Sequence, residues 1–363
     1  GFRIDPARRR VTGYTRASAG GTPPSFANYF VLEFDCDIDE AGSGTFEGAR
    51  EDGASSALER SGDRIGAYVG LRLPEDGTVI VRFGASFLGE EQAELNLRRE
   101  VGGRSFDDVR AEASAEWEAR LSAVQVEDAS LAVGAMPDTA EDRYRRLSTF
   151  YTCLYRNCLF PRRWYEFDAI GERVHFSPYT GRKETGVMYA DNGFWDMFRT
   201  SYPLFSLLFP KELADMLEGW TNVYKQSGWL PRWSSPGERF AMPGTLIDMV
   251  FADAFVKGIR GFDAETAYEG MRKHATQPPE PSALPGVPYG RQGLEAYERH
   301  GYLPIGSAHE TVSNTLDYVY GDFCIAQFAK ALGREEDYAM FIRRAERYRL
   351  LFDENTGFMR ARY

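Results

Sequence analysis

The sequence has 363 residues, 43% hydrophobic and 27% charged, which is length and composition enough for two globular domains. A formal net charge of −11 excludes the basic surface that phosphate binding demands, and with it a nucleic-acid partner. No uninterrupted apolar run reaches the roughly 18 residues of a membrane span, so no transmembrane helix is expected.

Residues 1–104 read as strands. The runs 29–35, 65–71 and 78–84 are aromatic or β-branched, and Pro74, Glu75, Asp76 and Gly77 supply turn chemistry between the last two. Residues 41–44 and 53–56, built from Gly, Ala and Ser, read as loops. Short strands between turn signals predict an antiparallel sheet or sandwich. After residue 90 the period becomes helical, with Gln92, Ala93, Leu95 and Leu97 in one segment. Ser105 with Asp107 and Asp108 forms a helix-start signal before 109–121, where Ala111, Ala115, Trp117 and Leu121 recur at helical spacing. Residues 105–140 therefore read as a helical linker.

From Glu141 onward the pattern is almost all helical. Leu147, Phe150, Tyr151, Leu154, Tyr155 and Cys158 form a stripe over 144–159. A Gly-rich, strand-like interruption covers 165–189. Helices are then predicted over 194–208, 210–227, 244–257, 264–275, 311–332 and 335–351. Successive helices without a fixed sequence repeat predict an α/α toroid or helical array over 141–363 rather than a solenoid. The opening residues Gly1 to Asp5 do not form a signal peptide. Both ends read as the interior of a longer chain.

The four cysteines, Cys36, Cys153, Cys158 and Cys324, show no metal or disulfide spacing and read as buried thiols. The 20 Tyr, 25 Phe and 6 Trp leave two readings open: a large aromatic core, or aromatic planes that stack on sugar rings. Three segments concentrate chemistry. In the first, Asp191 or Asn192 can cap a helix whose first turn carries Trp195 and Asp196. An indole face beside a carboxylate suits a sugar: the ring stacks and the carboxylate takes hydroxyls. The same residues equally fit a core tryptophan and a carboxylate at a helix dipole. In the second, Trp229, Arg232, Trp233, Glu238 and Arg239 crowd one loop, so Trp233 and Glu238 are pocket candidates. The alternative is a packed connector with surface ion pairs. In the third, His309-Glu310 lacks the second histidine of HExxH because Ser313 stands there, which argues against zinc. His175, His274 and His300 are isolated and read as surface or packed histidines. Serine-hydrolase, P-loop and dinucleotide fingerprints do not occur.

These segments resemble glycoside hydrolase family 92. The stretch Asn192-Gly193-Phe194-Trp195-Asp196-Met197 is similar to the family's WDT helix start, with Met197 where threonine is usual. Gly228-Trp229-Leu230-Pro231-Arg232-Trp233 and the 242–258 helix resemble the next family block. Val312 to Tyr318, with Phe323 to Gln327, resembles the stretch VSxTLEYAYDDWCIAQ. Residues 85–97 resemble the end of the family's β-sandwich, and 150–156 its first barrel helix.

The resemblance implies a mixed α+β chain: the C-terminal part of a β-sandwich (1–104), a helical linker (105–140) and the first part of an (α/α)6 toroid (141–363). It implies a calcium-assisted, inverting exo-α-mannosidase, α-1,2 by expectation, acting on mannose-containing glycans. Inversion needs an acid and a base carboxylate about 6.5–9.5 Å apart. The family's acid lies in an EGN-like motif and its base in a GNDD-like motif, neither of which occurs in the sequence. Both carboxylates and the Ca2+ ligands are therefore expected beyond residue 363, and this stretch alone is expected to be inactive. Trp195 and Asp196 match substrate-binding positions of the mannose subsite. Family habit favours secretion or the cell envelope, although some relatives lack export signals. Two rival readings are another sandwich-plus-toroid glycosidase or sugar phosphorylase, and a non-catalytic carbohydrate-binding relative.

Overall fold

A computed structural model describes residues 1–49, 53–127 and 139–363. The part of the expected linker at 128–138 lies outside the described residues.

The N-terminal region is antiparallel sheet. Strands β1 (Phe2–Asp5), β2 (Arg10–Thr15), β3 (Asn28–Phe34), β5 (Glu59–Arg60) and β7 (Val81–Ser86) form one sheet in the order β5-β1-β2-β3-β7. Strands β4 (Ile38–Glu47) and β6 (Ile65–Leu71) pair separately. Apolar side chains from both sheets meet in one cluster, with Ile4 and Val11 from the first and Ile38, Val69 and Leu71 from the second. The other face of the five-stranded sheet is covered by the helix Glu90–Glu100, whose Ala93 and Leu97 bury Val31. Each such buried aliphatic side chain contributes about 1.5–3 kcal/mol. Gly84 allows this approach, because a Cβ there would lie 2.4 Å from the Ala93 carbonyl oxygen.

Three sequence expectations shift here. Residues 41–44 are an irregular stretch inside β4, where the register slips between Asp39 and Gly44. Ser43 replaces the lost ladder bonds: its hydroxyl donates to the Asp39 carbonyl and accepts the Gly70 N–H. The strand expected at 78–84 starts only at Val81, since Thr78 is engaged in a turn with Asp76. Strands β1 and β2 fall outside the three runs read as strands, although β2, with Val11, Thr12, Tyr14 and Thr15, has strand composition.

The helices follow the predicted order. Ser105 and Thr139 each close a capping box, with Asp108 and Asp142 respectively. The helix Pro210–Ser227 has the expected bounds, with proline at its first turn and Gly228 ending it in a left-handed conformation. The helix expected over 194–208 is split into Phe194–Met197 and Ser201–Leu208. Pro203 explains the break: its ring opposes the carbonyl four residues earlier and it cannot donate. The helix expected from 244 begins at Ile247, because Gly244 is left-handed and its N–H is bound by Asn314. A short helix, Leu294–His300, lies between left-handed Gly293 and Gly301 and escaped the sequence pattern. Cys36 and Cys324 are buried as read, whereas Cys153 is exposed and Cys158 half-buried. Their helix, Ala140–Asn157, buries only Leu154.

One core cluster joins most of the helices, anchored by Phe194, Trp220, Phe251, Phe328 and Phe341. Beside it lies a fully buried ionic network. Asp322 accepts from Arg291 (2.6 Å), Arg344 (2.9 Å) and the Tyr297 hydroxyl (2.9 Å). Arg291 also faces Asp248 at 3.5 Å, and Asp248 accepts from Thr245 and contacts the His274 ring at 2.9 Å. His274 is thus packed, not a ligand, and bonds the Leu230 carbonyl through its other nitrogen. The network links five helices, Ile247–Val256, Ala264–Thr276, Leu294–His300, Thr311–Ala331 and Glu335–Ala345. No helix among the described residues is long and apolar enough to cross a membrane.

Removing one partner of such a network strands the remaining charges. Asp322→Ala is expected to cost about 3–5 kcal/mol, leaving two buried arginines that, among the described residues, only Asp248 and the part-exposed Glu298 still face. Urea unfolding checks this, and an unchanged midpoint would refute it.

Candidate functional site

The site grows from a strand end. Tyr189–Ala190 pairs with Arg162–Arg163, and the chain then turns at Asp191, which is left-handed at φ 57°. The Asp191 carboxylate is held by Arg162 (Nε 2.6 Å) and by the Ser235 hydroxyl (3.2 Å). Asn192 exchanges both backbone hydrogen bonds with Ser234, at 2.8 and 3.2 Å. Its side-chain oxygen accepts from the buried Tyr202 hydroxyl at 2.8 Å. The start of the Phe194 helix is therefore tied to the 232–238 loop before any ligand is considered.

Phe194 points into the core, Trp195 is half-buried and Asp196 is exposed. Gly193 is where the loop meets the helix. A Cβ there would lie 2.4 Å from the Trp233 ring and 2.9 Å from an Asp196 carboxylate oxygen, so indole and carboxylate flank one point. The Arg199 guanidinium carbon lies 5.1 Å from the Trp195 ring centroid and 4.7 Å from that of Phe198.

Trp233 and Asp196 thus meet at Gly193, while the half-buried Trp195 ring packs against the core and faces Arg199. Glu238 lies in the same loop as Trp233, at 1% exposure. Both its carboxylate oxygens lie 3.2 Å from the Arg232 N–H. Burial pushes this carboxyl well above the usual range, against the opposing pull of Arg232 and of the backbone N–H groups of Arg232 and Trp233.

Arg232 is also buried, and it too serves the backbone: Nε donates to the Gly244 carbonyl and Nη2 to that of Met242. Its guanidinium lies 4.7 Å from the Phe240 ring centroid. The 242–244 turn is held from the other side by Asn314, which accepts the Gly244 N–H at 3.0 Å and donates to the His309 carbonyl. One turn further along that helix is Asp317. Burial pushes its carboxyl up to about 6, Glu310 adds to the shift and Arg199 opposes it. Oδ2 of Asp317 has no hydrogen-bond partner among the described residues.

Arg199 and Asp317 were not singled out in the sequence as carriers of chemistry. A signal for Asp317 exists in retrospect: it recurs with Ser313 and Tyr320 at helical spacing. Arg199 has no such signal. Among the described residues no group of three or more His, Cys, Asp or Glu could hold a metal ion. A groove of about 870 Å³ lies elsewhere, between the Phe106–Leu121 helix and the helical region. Trp117, Arg120, Tyr189 and Glu212 line it, and none of the four sequence-chosen site residues does.

Two half-buried indoles, the exposed Asp196 carboxylate and Arg199 therefore lie on a helix start and a loop that buried polar groups brace, within a mainly helical scaffold. The model of the glycosyl hydrolase family 92 catalytic domain matches residues 92–363, and the chain belongs to that family. It is 36% identical to a family GH92 inverting mannosidase from Bacteroides thetaiotaomicron, with a TM-score of 0.88 over 99% of this chain and 46% of that one. A second α-mannosidase from the same organism, solved with mannoimidazole, is 28% identical with a TM-score of 0.78, covering 98% of this chain and 44% of its own. An uncharacterized secreted glycosidase of Arthroderma benhamiae is 27% identical over 82% of this chain and 34% of its own length. The chain spans less than half the length of each of these relatives.

Two outcomes are expected. Gly193→Ala drives a Cβ into the Trp233 ring and displaces the indole, which near-UV circular dichroism will register as a changed tryptophan signal. Asp317 holds its proton more tightly folded than unfolded, so its favourable contribution is full below the ordinary carboxylate range and is lost as pH rises through about 6. Asp317→Asn should therefore gain about 1–2 kcal/mol over the parent at pH 8 and little at pH 4. Paired thermal melts test the sign.

Proposed function

We propose that this chain supplies the sugar-contact rim of an exo-α-mannosidase, inverting and calcium-assisted, with α-1,2-linked mannose as the expected substrate. The approach of Trp233 and Asp196 to one another at Gly193, with Trp195 beside Asp196 at the start of the same helix, carries the reading. A pyranose ring presents apolar C–H faces that stack on an indole, and an exposed carboxylate accepts two of its hydroxyls with charge assistance. Membership of the family and likeness to two solved mannosidases support mannose over other sugars.

The wider architecture goes with this. Residues 1–104 are the C-terminal part of a β-sandwich, 105–140 a helical linker, and 141–363 the first part of an (α/α)6 toroid. The general acid, the general base and the Ca2+ ligands belong to sequence following residue 363. Within this chain, Trp195 and Asp196 bind and orient the terminal sugar, Trp233 lines its far side, and Arg199 tunes the charge between Trp195 and Asp317. Glu238 belongs to the same site from behind the rim.

Release of mannose from α-1,2-mannobiose by the full-length protein carrying this chain tests the reading. Calcium-dependent release that EDTA abolishes is expected. Asp196→Ala should lower kcat/KM about 10–100-fold, the worth of a charge-assisted hydrogen bond. No release from any α-mannobiose, with the protein folded, would overturn the assignment.

A further inference from the structure

We propose that Glu238 is a positioning residue: it holds the Trp233 indole against Gly193 and thereby sets the shape of the sugar-contact rim. Trp233 sits in a loop that closes on itself. Glu238 accepts the N–H of Arg232, the residue before Trp233, through both carboxylate oxygens, and the Trp233 carbonyl accepts the Arg239 N–H at 2.9 Å. The chain is thus committed on both sides of Trp233. Between them, Ser234 bridges Asn192 on one side and Glu238 on the other, which fastens the loop to the start of the Trp195 helix. The Ser234 hydroxyl donates to the Pro236 carbonyl and lies 3.3 Å from the Tyr179 hydroxyl.

The indole itself has little freedom, because the bare face of Gly193 is its seat. A buried carboxyl is costly unless its acceptors are used. Glu238 spends both acceptor oxygens on the amide that leads into Trp233, and its own exposure of 1% keeps it away from any ligand. Its effect on a sugar is therefore exerted through Trp233. The inference rests on the sugar-contact reading only for its kinetic consequence; the hold on Trp233 stands on geometry alone.

The test uses the full-length protein carrying this chain, with Glu238→Ala, Glu238→Gln and Trp233→Phe. Acrylamide quenching, read as the difference from the Trp233→Phe form, reports the exposure of that one indole. Glu238→Ala should raise it about 2-fold, and Glu238→Gln, which keeps one acceptor oxygen, should restore most of the protection. With an α-mannoside substrate, Glu238→Ala should raise KM about 10-fold with a smaller change in kcat, and adding Trp233→Phe should cause little further loss. If Glu238→Ala does not fold, Glu238→Gln and Gly193→Ala carry the same two readouts. Unchanged quenching and unchanged KM in a folded variant would overturn the proposal, as would a lower melting temperature with both readouts at parental values. Absence of any mannosidase activity in the parent would sink the functional reading while leaving the quenching result to decide on Glu238.

Discussion

Asp322 lies at 0% exposure between two arginines, and the arrangement of the helices depends on that one buried charge being met on every side. The network reaches the rim by contact. Arg291 passes from Asp322 to Asp248, Asp248 holds Thr245, and Thr245 follows Gly244, whose carbonyl is gripped by Arg232. Arg232 in turn presents its N–H to Glu238. A continuous path of buried polar contacts therefore runs from the helical core to the loop carrying Trp233. Such networks are costly to assemble and severe when broken, which favours one arrangement over near alternatives.

A division of labour follows along the path. The buried polar residues Glu238, Arg232, Asn192 and Asn314 bond mainly to backbone groups, fixing where loops run. The residues left to face outward, Trp195, Asp196 and Trp233, are attached to backbone that can no longer wander. Recognition of a sugar needs such rigidity, because a stacking plane and a carboxylate must be right together. Two left-handed residues at the rim, Asp191 and Met242, sit where non-glycine residues are uncommon, and each is held there by neighbours: Asp191 by Arg162 and Ser235, Met242 by Arg232.

Much of this was legible in the sequence. Helix periodicity located almost every long helix, and the Pro210–Ser227 helix fell where its proline and glycine placed it. Trp195, Asp196 and Trp233 stood out as residue types, although only the structure shows Gly193 as the point where Trp233 meets Asp196. What escaped were features whose cause is tertiary. The split at Pro203 follows a local rule that an apolar stripe conceals. The late start at Ile247 depends on Asn314, 70 residues beyond Gly244. Glu238 looked like a pocket carboxylate because a glutamate in a tryptophan-rich loop gives no hint that its acceptors face its own backbone. Asp317 was one more acidic residue until its surroundings lifted its proton affinity.

The guanidinium of Arg199 covers the Trp195 ring at 5.1 Å. A half-exposed indole left naked would be a sticky spot, prone to settling on any passing oily surface. With the cation in place the ring is dressed, at a strength of about 0.5–1 kcal/mol for an exposed pair. In the proposed role, a sugar arriving on that face would not strip water from a bare plane; it would change places with an arginine, and the displaced charge would have a waiting counterpart in the nearby carboxylate of Asp317. Selectivity at such a platform is then a matter of exchange: a ligand has to outbid a cation already seated, which weakly stacking visitors do not do.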